Sequence, residues 1–430
     1  PGSASPPDRG ANAFLAGRRP AGMRVFDAGR LVDGRRDEAI EDARLVVGDD
    51  GGIVAVGPGE SVDAPDDARR ESFPDATVVP GFVDAHVHLQ GARSMSIEDW
   101  LATPDAEAAA RATTDLRRLA DAGFTSARDL GSSAGLGLRA AVRDGEVPGP
   151  RVFTSGRAIS QTAGHGDVHG VAHERVADGT PLSTLADGEA ECRKEARKRL
   201  REGVDCLKIM TTGGVLSQRD TPDVRQFTDA EISAMTREAE RVGVQVASHA
   251  QGADGIVAAL RNGVDTIEHG FHLDDRGLDL LAERDATFVP TLAIMHRITE
   301  RGDEHGVPEW GLEKSRAARE AHLNAVRRAY EAGVPVAAGT DFMGPDLVPH
   351  GENALEMELF VEEVGMTEME ALQAGTRVAA RTLSRDDLGT LEAGNRADFA
   401  VLSADPLSDI SAVRSVERTH VDGERVDGYS

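Results

Sequence analysis

Between residues 77 and 342 the chain alternates short apolar runs with stretches of helical pattern. The runs are TVVPGFVDAHVHL (77–89), FTSARDLG (124–131), RVFTSGRAIS (151–160) and VDCLKIMTT (204–212), followed by VQVASHA (244–250), VDTIEHG (264–270), TFVPTLA (287–293) and VPVAAGTDF (334–342). Each ends in a polar or glycine-rich turn. Helical patterns fill most of the gaps. TDAEISAMTREAERVG (228–243) has Thr228 as N-cap, Glu231 at the capping-box position and Gly243 as its stop, and ADGIVAALRNG (253–263) is another. Eight strands alternating with helices predict an α/β fold, a parallel (β/α)8 TIM barrel. Residues 355–386 read as its last helices.

The flanks carry a different pattern. MRVFDAGRLVDGRR (23–36), ARLVVGDDGGIVAVG (43–57), RADFAVLSADPL (396–407) and RTHVDGERV (418–426) alternate apolar and polar positions around Gly-Asp turns, as short antiparallel strands do. Residues 23–78 and 388–430 are therefore assigned jointly to a small β-sandwich domain built from both chain ends. Residues 79–387 form the barrel. Residues 1–22 read as a disordered extension, with Met23 as the natural start.

Composition narrows the partners. The formal charge is −26, which argues against nucleic acid and anionic membranes. No apolar run approaches the roughly 18 residues that a membrane span requires. Cys192 and Cys206 cannot build a disulfide framework, so a reduced, cytoplasmic setting is expected. Lysine occurs only at 194, 198, 208 and 314, among 48 basic residues. An acidic surface almost free of lysine resembles proteins of halophilic organisms, where carboxylates hold water and counterions. A GC-rich genome would account for arginine over lysine, but not for the excess of acid.

The candidate chemistry lies at the strand ends. His86 and His88 share one face of the first strand, because strand side chains alternate with period two. In a barrel that face points inward, and the C-terminal end is where barrels keep their active sites. A hydrogen-bonded structural pair would also explain two histidines so placed. The later strands favour metal: they end in His249, His269 and Asp341, and the fourth carries Lys208 inside the apolar run CLKIM. A desolvated lysine shifts toward its neutral amine. That amine can take up CO₂, and the carbamate is an anionic ligand able to bridge two ions. Four histidines, a carboxylate and a carbamate suit two divalent, zinc-like ions.

With these motifs in place the chain resembles the amidohydrolase superfamily of metal-dependent hydrolases, in its prolidase-like and imidazolonepropionase-related branch. The resemblance spans roughly 23–430. It rests on PGFVDAHVHL, RAISQTAGHGD, LKIMTTGGV, VASHAQG, IEHGFHLDD, AAGTDF and GNRADFAVLSADPL. It implies that His86 and His88 bind the more buried ion, with Asp341 completing its shell. His249 and His269 would bind the second, and carbamylated Lys208 would bridge the two. Lys208 favours the dipeptidase-like branch. The implied activity is hydrolysis of the C–N bond of dipeptides or N-acyl amino acids by metal-bound hydroxide, with Asp341 orienting the hydroxide and moving its proton. A cyclic amide substrate is the alternative. A non-catalytic assembly protein on the same fold is disfavoured, because all six ligands are retained.

Around the metals, His165 of GHGD is expected to contact the substrate carbonyl or carboxylate. Gln251 stands where prolidase-like relatives often carry a tyrosine. Arg128 could grip a substrate carboxylate or form a structural ion pair. His169, His173 and His272 read as solvated loop residues, and His296, His305, His322, His350 and His420 as surface or incidental. The loop TTGGVLSQ (211–218) lacks phosphate-loop spacing and is expected to cover the metal pocket. Family members are often homo-oligomers; the sequence carries no interface signature of its own.

Overall fold

The computed structural model describes residues 22–427, so the expected extension over 1–22 lies outside the described residues apart from Gly22. The fold is mixed α/β. Four strands come first: β1 (Arg24–Leu31), β2 (Ile40–Val47), β3 (Ile53–Pro58) and β4 (Arg69–Pro80). Next come β5 (Phe82–Val87), β6 (Phe124–Asp129), β7 (Arg151–Thr154), β8 (Ala158–Ser160), β9 (Ser183–Leu185), β10 (Cys206–Met210), β11 (Gln245–Ala250), β12 (Thr266–His269) and β13 (Thr287–Val289). The chain ends with β14 (Phe399–Leu402), β15 (Val416–Val421) and β16 (Glu424–Arg425).

Strands from both ends of the chain hydrogen-bond into one seven-stranded sheet, ordered β16-β15-β14-β4-β1-β2-β3. The two ends meet where β14 runs antiparallel to β4. One pairing departs from the antiparallel expectation: β1 and β4 are parallel. The excursion through β2 and β3 occupies one edge of β1, and β4 returns along the other edge in the same direction. Phe26, Leu45, Ile53, Phe73, Val78 and Phe399 pack together as the core of this unit. At the start of β7, Arg151 ion-pairs with Asp398 and Asp422, tying the chain-end sheet to the central strands.

The central strands pair in parallel, in the orders β5-β6-β7 and β13-β12-β11-β10-β8-β9. The run 151–160, expected as one strand, breaks between β7 and β8, where Gly156 takes φ 59°. The two sheets are linked across this break, since the Asp205 amide donates to Thr154 O at 2.9 Å. The expected strand over 334–342 is not continuous. Val336 pairs with Phe288 and Phe342 pairs with Val87, while the Ala85 amide donates to Ala338 O and the Asp341 amide to His86 O. The reason is local. Gly339 lies so close to β5 that a Cβ would sit 2.9 Å from the His86 nitrogen. Asp341 takes φ 58°, a left-handed conformation that cannot extend a ladder.

Helices cover the outer face as their sequences direct. Thr228 accepts from the Glu231 amide, and the Glu231 side chain reaches back to the N-cap amide, starting a helix over Asp229–Glu240. Its Ile232, Met235 and Ala239 recur at helical spacing and are buried. The π-turns Phe360–Val364 and Ala374–Val378 interrupt the last helices.

Candidate metal centre

β5 carries His86, and His88 follows directly after its end. Asp84 fixes the backbone there: its carboxylate accepts from the His86 amide at 3.0 Å and from the Thr340 amide, the Thr340 hydroxyl and Asn353. Burial pushes this carboxyl up to about 6 against those hydrogen bonds. The His86 and His88 rings lie 5.4 Å apart. β12 ends in His269, whose ring centroid is 5.1 Å from that of His86 and 4.6 Å from that of His249 on β11. Asp341 joins them from the broken eighth segment, with Oδ1 2.9 Å from His88 Nε2 and 3.5 Å from His86 Nε2. Ligand atoms of His86, His269 and Asp341 all lie within 4.8 Å of one another.

Every one of these four imidazoles has one nitrogen held from outside the cluster. Nδ1 of His86 meets Glu268 Oε2 at 2.9 Å, and Nδ1 of His88 meets Gly131 O at 3.0 Å. Nδ1 of His269 meets the Thr291 hydroxyl at 2.9 Å. His249 is held the other way round, by Nε2 to Gly213 O at 3.1 Å. Nε2 of His86, His88 and His269 and Nδ1 of His249 are thereby left for the centre. Ligating histidines require this arrangement, with one nitrogen oriented and the other free.

Electrostatics point the same way. Burial, followed by the charge of Lys208, holds His86 well below the usual histidine range. His249 and His269 are likewise held well below it, mainly by burial and then by neighbouring histidines. Neutral imidazoles are the ligand form. His88 behaves differently: burial opposes protonation, but the hydrogen bond and charge of Asp341, with the Gly131 carbonyl and Asp129, together outweigh it and raise the pKa. Asp341 is held below the usual carboxylate range by His86 and His88, against its burial. Lys208 lies on β10, 2 % exposed, and its Nζ has no hydrogen-bond partner among the described residues. Burial pulls its pKa down to about 8. A buried, unpartnered amine beside oriented imidazoles fits a metal centre whose bridging group is built on that nitrogen.

The remaining candidates separate. The His165 ring stacks on His249 at 4.0 Å and is half-buried, so it borders the centre. Its Nδ1 meets Ser217 Oγ at 3.1 Å. Gln251 is buried beyond β11, its amide N–H donating to Thr212 Oγ1 at 2.9 Å and its Oε1 unpartnered among the described residues. Arg128 is a correction. It is not at the mouth but buried, with Nη2 on Glu268 at 2.9 Å, Nε donating to Ala85 O at 2.6 Å and Nη1 to Thr266 Oγ1 at 3.2 Å. With its guanidinium so engaged it serves a structural ion pair rather than a substrate carboxylate. The loop over 211–218 does lie against the site: a Cβ on Gly214 would stand 2.4 Å from the His165 ring.

Sequence reasoning missed Glu268 and Thr291. Glu268 receives His86, Arg128 and the Thr266 hydroxyl at 2.6 Å, beneath the cluster. Thr291 takes φ 57° and presents its hydroxyl to His269. The amides that follow it, of Leu292 and Ala293, donate to buried Glu356 at 2.9 and 2.6 Å.

The Amidohydrolase family model matches residues 77–426. An ochratoxinase of Aspergillus niger is 33% identical over 380 residues, covering 84% of this chain and 77% of that protein. An imidazolonepropionase of Salinispora tropica is 28% identical over 370 residues, covering 81% and 83%. Among solved structures, a Xaa-Pro dipeptidase with methionine bound in its active site superposes with a TM-score of 0.85 at 32% identity, covering 94% of this chain and 100% of that one.

Proposed function

The chain belongs to the amidohydrolase family, and from that premise we propose that it is a binuclear-metal hydrolase of dipeptides or N-acyl amino acids. The observation that carries this reading is the set of four histidines, each with one nitrogen fixed from outside, around the unpartnered amine of Lys208. His86, His88, His249, His269, Asp341 and carbamylated Lys208 would hold two divalent ions, with zinc the first choice for an imidazole-rich set. When bound, such ions lower the pKa of water and polarise a carbonyl.

The chain's own residues do the rest. Asp341, hydrogen-bonded to His88, accepts the proton of the attacking water and passes it to the leaving nitrogen, so the amine departs neutral. Glu268 keeps His86 in the tautomer that leaves Nε2 free. His165 contacts the substrate carboxylate or carbonyl, and the Gln251 amide reads the amide near the scissile bond. The similarity to a Xaa-Pro dipeptidase supports a C–N bond as the target.

The architecture belongs to the same proposal. Residues 79–387 are read as a closed eight-stranded barrel, supported by the bonds from 335–342 to both β5 and β13. Residues 23–78 and 388–430 are read as a separate β-domain, of which 428–430 lie outside the described residues. The sandwich reading is supported by the apolar core of its sheet and by the bridge between Gly52 and Arg396, which joins the start of β3 to the approach to β14.

The test is metal content and turnover. The purified enzyme is expected to carry two ions per chain and to cleave members of a dipeptide and N-acyl amino acid panel. Lys208→Ala should lose metal and activity, with partial rescue by short carboxylic acids. Full metal content and rate in that variant would refute the carbamate. The similarity to an imidazolonepropionase supports a second reading, a cyclic amide substrate. Equal rates on free-acid and C-terminally amidated substrates would favour it.

A further inference from the structure

The contact between His165 and Ser217 does not end at the hydroxyl. Ser217 Oγ donates in turn to Asp220 Oδ1. Gly214 O, 3.2 Å from Ser217 Oγ, is a more distant acceptor of the same hydroxyl. A carboxylate only accepts, so the single proton of Ser217 goes to the nearer Asp220, and Ser217 Oγ must accept from His165 Nδ1–H. Asp220 is buried at 7 % exposure and reaches His165 by a second route. Its Oδ2 accepts from Gln226 Nε2 at 3.0 Å, and Gln226 Oε1 accepts the His165 amide, also at 3.0 Å. Ring and backbone of His165 are thus fixed from one carboxylate.

The loop that carries this relay is itself anchored. Gly214 donates its amide to Asp220 Oδ1 at 3.1 Å. Lys314, on the helix Glu309–Glu331, donates to the carbonyls of Ser217 and Asp220 at 2.8 and 2.6 Å. On its other face His165 stacks on His249. The ring is therefore clamped between the histidine cluster and the loop, with its hydrogen-bonding edge decided by Ser217.

We propose that Asp220, acting through Ser217, is a positioning residue that pins the Nδ1–H tautomer of His165 and makes Nε2 the nitrogen that meets substrate. This rests on the reading of His165 as a substrate contact. The consequence is directional. With Nδ1–H committed to the loop, Nε2 of the neutral ring is an acceptor. It donates to a substrate oxygen only after taking a second proton from solvent, and Asp220 then supplies the negative charge behind the doubly protonated ring.

The tautomer is read without substrate or metal, from the imidazole ¹⁵N shifts of histidine-labelled, metal-free protein. The His165 signals are identified by their loss in His165→Ala. The parent should show Nδ1–H. Asp220→Asn and Ser217→Ala should move the ring toward Nε2–H, and Ser217→Thr should restore it. Asp220→Asn removes a loop anchor as well, whereas Ser217→Ala breaks the bridge and the 3.2 Å contact of Ser217 Oγ with Gly214 O but leaves the bonds of Asp220 to Gly214 and Gln226.

In the metal-loaded enzyme each bridge variant should lose about 10- to 100-fold in kcat/KM on free-acid substrates, the loss expected of a charge-assisted hydrogen bond. Ser217→Ala should cost nothing further in a His165→Ala background. An unchanged tautomer in Ser217→Ala, or a Ser217→Ala loss that multiplies with that of His165→Ala, would overturn the proposal. A His165→Ala enzyme of parental rate would overturn the substrate-contact reading alone, since the tautomer is read independently of turnover.

Discussion

Replacing Glu268 with glutamine separates what this carboxylate does for the fold from what it does for the metal. Glu268 is fully buried, and its two oxygens serve different partners: Oε1 meets Arg128 Nη2 at 2.9 Å and Oε2 meets His86 Nδ1 at 2.9 Å. Arg128 is 1 % exposed, so loss of the carboxylate charge leaves a guanidinium uncompensated in the interior. Breaking a buried pair on one side costs about 3–5 kcal/mol. Glutamine also has only one acceptor oxygen, and its NH₂ must face either Arg128 or His86 donor to donor. Loss of the orienting bond to a ligating histidine lowers metal affinity about 10–100-fold. Two assays read the two effects: urea unfolding of the metal-free protein, and zinc affinity by chelator competition. Glu268→Gln should fail in both. Adding Arg128→Met removes the stranded charge, so stability should recover by several kcal/mol while zinc affinity stays low. If Glu268→Gln keeps metal-free stability within about 1 kcal/mol of the parent and zinc affinity within about twofold, the carboxylate is neither a charge partner nor an orienting group.

His420 tests the chain-end sheet. Its ring stacks on Phe399 at 4.4 Å, neither nitrogen has a hydrogen-bond partner among the described residues, and burial lowers its pKa from 6.5 to about 3. The unfolded chain takes up the proton near pH 6.5 and the folded chain does not until about 3, so this contribution to stability is present above 6.5 and is lost as pH falls. His420→Phe should gain about 2 kcal/mol on the parent between pH 6.5 and 4.5 in urea unfolding, and parallel pH profiles would refute this. The charge of −26 predicts a melting temperature that climbs from dilute buffer to molar KCl as carboxylate repulsion is screened, while a flat or falling curve would favour the codon-composition explanation.

How far the site could be read from sequence follows from where strand periodicity holds. It holds on β5, so the inward-facing pair His86 and His88 was legible from spacing alone. It holds on β10, where CLKIM placed Lys208 inward. It fails at the end of β12. A regular strand ending Ile-Glu-His puts Glu268 and His269 on opposite faces, and choosing His269 as a ligand sends Glu268 outward. The chain avoids that choice because His269 takes φ 72° and turns off the strand, so both residues reach the centre. Asp341 and Thr291 share the same left-handed backbone, at φ 58° and 57°. Three of the residues that build or orient this centre therefore sit where L-residues rarely go, and no periodic pattern announces such positions. Height within the strand bundle was equally invisible. Arg128 ends a strand in sequence, yet its side chain runs inward to Glu268. His322, His350 and His420, read as surface or incidental, are buried, because each comes from a helix, a loop or a distant strand that the sequence could not place against its neighbours. The unusual backbone at His269, Asp341 and Thr291 costs about 1–3 kcal/mol per residue, and it is tolerated where neighbouring bonds hold it. The Asp341 amide donates to His86 O, Thr291 is followed by the Glu356 clasp, and His269 is bound to Thr291. Each strained residue is thus held by groups whose own positions depend on another of the proposed ligands or its support, so the geometry of the cluster is over-determined by the protein alone.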